Sequence, residues 1–473
     1  MSSTPKSRFA PSPTGILHLG NVRTALFSYL LAKNLQGDFV LRCEDTDQER
    51  SKEEFLQLQQ ADLKWLGLAW DAGPDMGSEH GPYRQSQRND IYNHYYQELE
   101  AKGLVYPCFC TPQELKIVRK AQLQSGQPPR YNGTCSHLSK EEVAAKFAQG
   151  EEASLRFKVP KDQLLIVDDL VVGEKKYQTS DIGDFIIRRS DGTPAFFFCN
   201  AIDDSLMGIT HVLRGVDHVT NTPRQIMILD ALGLRAPVYG HISLVVGTDG
   251  GPLSKRDGST GVKDLREQGY MAGAIVNHLA RLGHNYADNH YMQLEELAEK
   301  FSLQSCGRSP SKHDPVQLMH WQKEAIMQAS NADILDWAKK WIEEATDLFS
   351  TSSEQQDKFI TLVRDNIELP HDVVSWYSKL NSNIQDDDAK ETINNASKEL
   401  FSELSKLLAT AEASDFAQLL KQAGKSLEIK GKNLFMPIRA AISGSTNGPQ
   451  IQAIANYLGK DELLKRLKVA TSE

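Results

Sequence analysis

Residues 7–43, SRFAPSPTGILHLGNVRTALFSYLLAKNLQGDFVLRC, read as a strand, a turn, a helix and a second strand. Ser7–Ala10 forms the first strand, the Pro11–Gly15 segment carries turn chemistry, and Phe39–Cys43 forms the second strand. Between them Val22, Ala25, Leu26, Tyr29, Leu30 and Lys33 recur at the spacing of one helix face, with Gly37 as the stop signal. Such a unit joins parallel strands, and open parallel sheets take their ligands beyond the carboxyl ends of the strands.

From about Tyr106 to Arg189 the pattern changes to short mixed strands and one polar helix, which suits an insertion between two halves of the first domain. Runs at Phe185–Arg188 and Ala195–Ala201 then read as strands returning to the sheet. After about His320 the chain becomes almost wholly helical. Ile334, Leu335, Ala338, Trp341, Ile342 and Ala345 form one apolar stripe, and Ser350–Asp357 and Asn381–Lys390 read as polar linkers. The expected fold class is α/β: a parallel-sheet domain over 1–105 and 186–320, an α+β insertion over 106–185, and an all-α region over 321–473 with two subdomains.

The 473 residues, 40% hydrophobic and 24% charged, fit a globular chain of several domains. No apolar run approaches the ~20 residues of a membrane span, and Met1–Arg8 does not open a secretory signal, so a cytoplasmic location and no membrane partner are expected. Six cysteines scattered over such a chain argue for reduced thiols rather than a disulfide framework. The net charge of −9 means that any nucleic-acid contact must concentrate its cations locally.

Two segments carry nucleotide chemistry. The turn at Pro11 and Gly15 leads into His18-Leu19-Gly20-Asn21 at a helix start, where unpaired N–H groups and the helix dipole favour phosphate. Gly20 admits a close approach by a flat ring, and the His18 imidazole can donate to a phosphate oxygen as charge builds. Further on, Gly250-Gly251-Pro252-Leu253-Ser254-Lys255-Arg256 is a glycine loop ending in two cations suited to neutralising a triphosphate. It lacks the spacing of a Walker A loop. Taken alone, either segment also fits a helix cap or a solvated loop.

Together the two segments resemble the HIGH and KMSKS signatures of class I aminoacyl-tRNA synthetases. The blocks Arg8–Gly15, Arg42–Asp47, Gly81–Ser86 and Asp203–Thr210 narrow the resemblance to bacterial glutamyl-tRNA synthetases, as a divergent or second-copy member. The resemblance implies a Rossmann-like catalytic domain and an all-helical anticodon-binding region. It also implies a monomer that uses ATP and Mg2+ to activate L-glutamate, dependent on bound tRNA. The acceptor is tRNA(Glu), and in some members also or preferentially tRNA(Gln). His18, Lys255 and Arg256 then stand as catalytic, and Pro11, Gly15, His18, Gly20, Asn21, Ser254 and Lys255 as nucleotide-binding. Glutamate has two carboxylates and one ammonium, so its site needs fixed cations and an anion, and arginine forks suit carboxylates. Arg8 and Arg214, at the ends of two strands, with Glu44 for the ammonium, meet that need; by resemblance Ser12, Phe196 and Asn200 join them. Phe196 stands where the family usually has tyrosine, Pro252 where it has lysine, and Asp257 where histidine is common. A small-molecule adenylyltransferase and a non-catalytic tRNA- or zinc-binding paralogue share parts of this pattern.

Cys108-Phe109-Cys110 and Cys135-Ser136-His137 offer three sulfurs and one imidazole. Residues two apart in an extended chain point the same way, so a closed, structural Zn2+ shell of Cys108, Cys110, Cys135 and His137 is expected. It resembles the zinc knuckle of some bacterial glutamyl-tRNA synthetases. Lys116, Arg119, Lys120 and Arg130 in the intervening loop are candidates for acceptor-stem phosphates. Lys425, Lys430, Lys432, Arg439 and Phe435 are candidates for the anticodon arm, and Arg364 or Asn366 for the choice between tRNAs.

Overall fold

A computed structural model describes residues 4–76, 78–251, 253 and 261–471. They form two compact units, Met1–Asp264 with Val276–Pro315, and Leu265–Ile275 with Val316–Glu473. The first is built on a four-stranded, all-parallel sheet of β1 (Lys6–Phe9), β2 (Asp38–Leu41), β8 (His211–Gly215) and β9 (Val238–Ile242), in the order β2-β1-β8-β9.

The helix after β1 spans Leu19–Asn34 and starts at His18, whose backbone is extended and whose carbonyl accepts the Val22 N–H at 3.0 Å. Its buried surface is wider than the expected stripe, taking in Phe27, Ser28 and Leu31, and Phe27 packs edge-on against Phe301 at 5.3 Å. At the stop, Gln36 rather than Gly37 takes the left-handed conformation. Gly37 is required for another reason: a Cβ there would lie 2.1 Å from the Pro5 carbonyl oxygen.

The segment between β2 and β8 holds an antiparallel sheet of β3 (Val105–Cys108), β4 (Ser154–Phe157) and β7 (Phe185–Arg188), and a hairpin of β5 (Leu164–Asp169) and β6 (Gly173–Gln178). Phe185–Arg188 is thus a strand, but it joins this small sheet rather than the parallel one. Three helices, Pro112–Gln124, Lys140–Ala148 and the short Thr179–Ile182, stand where one was expected, the first two started by capping boxes at Thr111 and Ser139.

Ala195–Ala201 is not a strand. Phe196–Leu206 is a helix, and Phe198 to Asp204 are all buried. A helix buried on every side has no polar face, so its 3.6-residue period leaves no trace in the sequence and its aromatics read as strand. Phe198 stacks on Tyr96 with ring centroids 4.3 Å apart, and burying such a ring contributes roughly 1.5–3 kcal/mol.

The second unit is helical. Asn331–Ala345 starts at a Ser330 capping box and buries Ile334, Ala338 and Ile342, with Leu335 partly buried beside them. Both expected linkers contain helix starts, because their polar residues are caps: Ser352 caps Ser353–Val363 and Asp386 caps Asp387–Asn394. The unit does not begin with one cut near His320. Leu265–Ile275 belongs to it, tied by the Trp337 indole donating to the Gly269 carbonyl at 2.8 Å and the Met271 N–H donating to Gln322 at 2.9 Å. No helix among the described residues is long and apolar enough to cross a membrane.

Candidate active site

The sheet order places β1 and β8 side by side, with their onward connections leaving to opposite sides. Open α/β sheets bind ligands at such a reversal, in the crevice beyond the carboxyl ends of the two strands. Arg8 lies near the end of β1 and Arg214 near the end of β8.

A buried charge cluster forms the floor. Arg42, 0% exposed, donates through Nη1 to Asp204 at 2.7 Å and through Nη2 to Glu44 at 3.0 Å, and its Nε lies 3.9 Å from Asp203. Arg8 Nε donates to Asp204 at 3.1 Å, and Arg88 Nε donates to Asp203 at 2.6 Å. Asn200 donates to Glu44 and accepts from Gln225 at 2.8 Å. Burial raises the carboxyls of Glu44 and Asp203 above their ordinary range even though arginines oppose it. At Asp204 the pull of Arg8 and Arg42 overcomes burial and leaves the carboxyl below its ordinary range.

Arg214 differs. It is 5% exposed, yet its Nε meets His241 and its Nη2 meets Thr222, both uncharged partners, and Nη1 has no hydrogen-bond partner among the described residues. Burial pushes its pKa down to about 10. A buried cation with an unmade bond at a crevice is the arrangement an anionic ligand completes. Phe196 is half-buried, its ring 5.4 Å from that of His218.

The turn that follows β1 is held from beneath. Gln59 donates to the carbonyls of Ser12 (3.2 Å) and Gly15 (2.9 Å), and the Glu44 N–H donates to the Pro11 carbonyl at 3.0 Å. Pro11 is buried, whereas Ser12, His18 and Asn21 are exposed, and the His18 side chain does not cap the helix it begins. Space is open at Gly15, and a Cβ at Gly20 would make only ordinary contact with Val245 at 3.9 Å. Pro252, Ser254, Lys255, Arg256 and Asp257 lie outside the described residues.

Residues 6–320 match the family described as tRNA synthetases class I (E and Q), catalytic domain, and residues 333–471 match an anticodon binding domain. The chain is 49% identical to the glutamate–tRNA ligase 2 of Nitrosococcus oceani over 98% of its own length and 97% of that protein's. It is 46% identical to the glutamate–tRNA ligase 2 of Coxiella burnetii, over 98% and 99%. The chain belongs to the glutamate–tRNA ligase family of class I tRNA synthetases. Its structure superposes on the crystal structure of a glutamate tRNA ligase from Elizabethkingia meningosepticum in complex with its amino acid, with a TM-score of 0.87, 29% identity and 99% of each chain covered.

In this tRNA synthetase three of the four expected residues of the cysteine group come together. Cys108, Cys110 and Cys135 bring their sulfurs within 4.8 Å of one another, but exposed His137 is outside the group. Thr134–His137 is a 3-10 turn rather than an extended segment, so residues two apart no longer share a side. Tyr131 lies there instead. Its Oη is 3.4 Å from both Cys108 and Cys110 sulfurs and accepts the Cys135 N–H at 2.9 Å, while the Arg156 guanidinium covers its ring at 3.7 Å. Burial alone would raise the Cys108 thiol, yet Tyr131 and Arg156 hold it below its ordinary value.

Lys116, Arg119 and Lys120 project at i, i+3 and i+4 from the helix Pro112–Gln124 and are exposed, whereas Arg130 is bound to the Ser180 carbonyl. In the helical unit Lys425, Lys430, Lys432 and Phe435 are exposed, but Arg439 donates to the carbonyls of Gly448 and Pro449. Arg364 donates to Asn331 at 2.6 Å beside a shallow pocket, and the Asn366 carbonyl accepts from Trp376 at 3.1 Å.

Sequence reasoning assigned no role to Arg42, Gln59, Asp203, Asp204, Gln225 or His241. The signal for Arg42 and the aspartates was charge inside segments that pattern as buried, since buried charges come paired. Gln59 and Gln225 carry no such signal.

Proposed function

We propose that this enzyme activates L-glutamate with ATP to glutamyl-adenylate and transfers the glutamyl group to the 3′-terminal adenosine of tRNA(Glu), with tRNA(Gln) as a second acceptor. The observation that carries this reading is Arg214, a buried guanidinium with one end unpartnered among the described residues, beside Arg8 at the sheet's switch point. Arg214 takes a substrate carboxylate, Glu44 the ammonium, and Asn200, held by Gln225, steadies Glu44. His18 at the exposed helix start, with Lys255 and Arg256 from the glycine loop, meets the triphosphate, and Mg2+ enters as its counter-ion. Positioning and charge stabilisation supply the acceleration. The enzyme works as a cytoplasmic monomer, with its acceptor-stem and anticodon contacts on the exposed cations of the 106–185 and 321–473 segments.

Pyrophosphate exchange with glutamate and with glutamine, each with and without tRNA, tests this. Exchange is expected with glutamate and tRNA together; exchange with glutamine alone would overturn the assignment. Charging of purified glutamate and glutamine tRNAs in parallel reports the acceptor.

The thiol group fits a structural zinc ion. A tetrahedron with Zn–S near 2.3 Å and Zn–O near 2.0 Å has S···S edges of about 3.8 Å and S···O edges of about 3.5 Å. The observed separations are 3.6 Å for Cys110–Cys135 and 3.4 Å for Tyr131 to each of two sulfurs. Cys108, Cys110, Cys135 and Tyr131 would hold the metal, and a filled shell would tie the 106–185 segment together without entering the reaction. Elemental analysis should find one zinc per chain, retained in His137→Ala and lost in Cys110→Ser. Retention in Cys110→Ser, or loss in His137→Ala, would refute this ligand set.

A further inference from the structure

The partners of Arg214 form a chain that ends on a different part of the fold. Its Nε donates to His241 Nε2 at 3.0 Å, its Nη2 donates to Thr222 Oγ1 at 2.7 Å, and Thr222 Oγ1 lies 3.2 Å from His241 Nε2. His241 Nδ1 makes a short hydrogen bond to Asp169 Oδ2. The two carboxylate oxygens of Asp169 are divided between tasks. Oδ1 accepts the backbone N–H groups of Val171 (2.9 Å), Val172 (2.9 Å) and His241 (3.1 Å), while Oδ2 serves the imidazole. Asp169 ends β5, so the 106–185 segment itself reaches the amino-acid crevice.

A guanidinium Nε can only donate, so His241 Nε2 must present its lone pair, and in a neutral imidazole the proton then sits on Nδ1 and goes to the carboxylate. Burial and the nearby Arg214 charge hold His241 below its ordinary pKa, which keeps the ring neutral. Asp169 stays ionised, because the hydrogen bonds from His241 and the backbone outweigh its burial. The chain is therefore directional: carboxylate, Nδ1–H, Nε2 lone pair, Nε–H. It fixes two of the three guanidinium nitrogens and leaves Nη1, itself buried, without a hydrogen-bond partner among the described residues.

We propose that Asp169, by setting the tautomer of His241, holds Arg214 in the orientation that selects the substrate carboxylate, so that Asp169 and His241 are positioning residues for amino-acid recognition. This rests on the reading of Arg214 as the carboxylate-binding arginine. Asp169→Asn is the informative variant. Its amide oxygen can keep the three backbone contacts while its amide nitrogen replaces Oδ2, donating to Nδ1 and driving the ring proton to Nε2, against the Arg214 N–H.

The test measures glutamate-dependent pyrophosphate exchange by the full-length enzyme with tRNA. In Asp169→Asn the KM for glutamate should rise roughly 10- to 100-fold, with the KM for ATP unchanged. In His241→Gln, whose side-chain carbonyl can accept from Arg214 without any proton to misplace, the loss should be smaller than in His241→Phe. Adding Asp169→Asn to His241→Gln should cost nothing further. An unchanged glutamate KM in Asp169→Asn would overturn the proposal, as would an equal loss in the His241→Gln background. If Asp169→Asn does not fold, the comparison of His241→Gln with His241→Phe decides alone, equality refuting it. Failure of the unmodified enzyme to use glutamate would instead overturn the pocket assignment beneath it.

Discussion

Arg42→Met should destabilise the protein by about 3–5 kcal/mol, because it strips the shared cation from a group of buried carboxylates. Arg42 is fully buried and lies within 4 Å of Glu44, Asp203 and Asp204. Without it Arg8 still meets Asp204 and Arg88 still meets Asp203, but Glu44 loses its only arginine hydrogen bond among the described residues. The remaining relief is protonation. Glu44 and Asp203 already have raised pKa values through burial, and losing Arg42 removes the leading opposing charge from each. An acid whose folded pKa lies above its unfolded value contributes stability at low pH and loses it as pH rises through the folded value. The deficit of the variant should therefore be larger at about pH 8 than at about pH 5. Urea unfolding curves at the two pH values measure this, and a loss below about 1 kcal/mol at both would show that the cluster is solvated like a surface pair.

Arg214→Met should do the reverse, with little effect on unfolding and a large one on catalysis. Among the described residues no carboxylate is paired with Arg214, so its removal strands no buried anion there and takes away a cation that burial already disfavours. The unfolding midpoint should stay level or rise. Loss of the guanidinium that the proposed function pairs with the substrate carboxylate should lower kcat/KM for glutamate roughly 100- to 1000-fold, or about 3–4 kcal/mol, with the KM for ATP unaffected. Lysine should not restore activity, since an ammonium has three donors on one nitrogen and lacks the planar fork that spreads separate nitrogens toward His241, Thr222 and a carboxylate. Steady-state kinetics with glutamate varied provides the measurement, and a variant that kept its glutamate kcat/KM would exclude Arg214 from the pocket. The two arginines thus separate stability from recognition, although both are buried a short way from the same crevice.

Local periodicity and turn chemistry made the strand–helix–strand unit at 7–43 legible, along with the helical character after His320. These signals depend on neighbours within a few positions, and each element keeps a polar face or a breaker that exposes its period. The helix Phe196–Leu206 was not legible for the converse reason: buried all round, it has no polar face to set its phase. The grouping of His137 with the thiols assumed an extended chain, and the sequence does not show that Cys135 sits in a 3-10 turn or that Tyr131, four residues upstream, lies beside the sulfurs.

The sequence by itself determined which residue types were present for the chemistry: arginines at strand ends, a glycine-bearing helix start, three thiols and the order of the domains. Only the tertiary structure decided how they are used. Arg8 and Arg214 are the same side chain on adjacent strands, yet Arg8 spends its charge on Asp204, 196 positions away, while Arg214 meets neutral groups and has one end without a hydrogen-bond partner among the described residues. The net demand of a buried charge is set by whatever long-range packing brings within hydrogen-bond distance, and no local pattern encodes those partners.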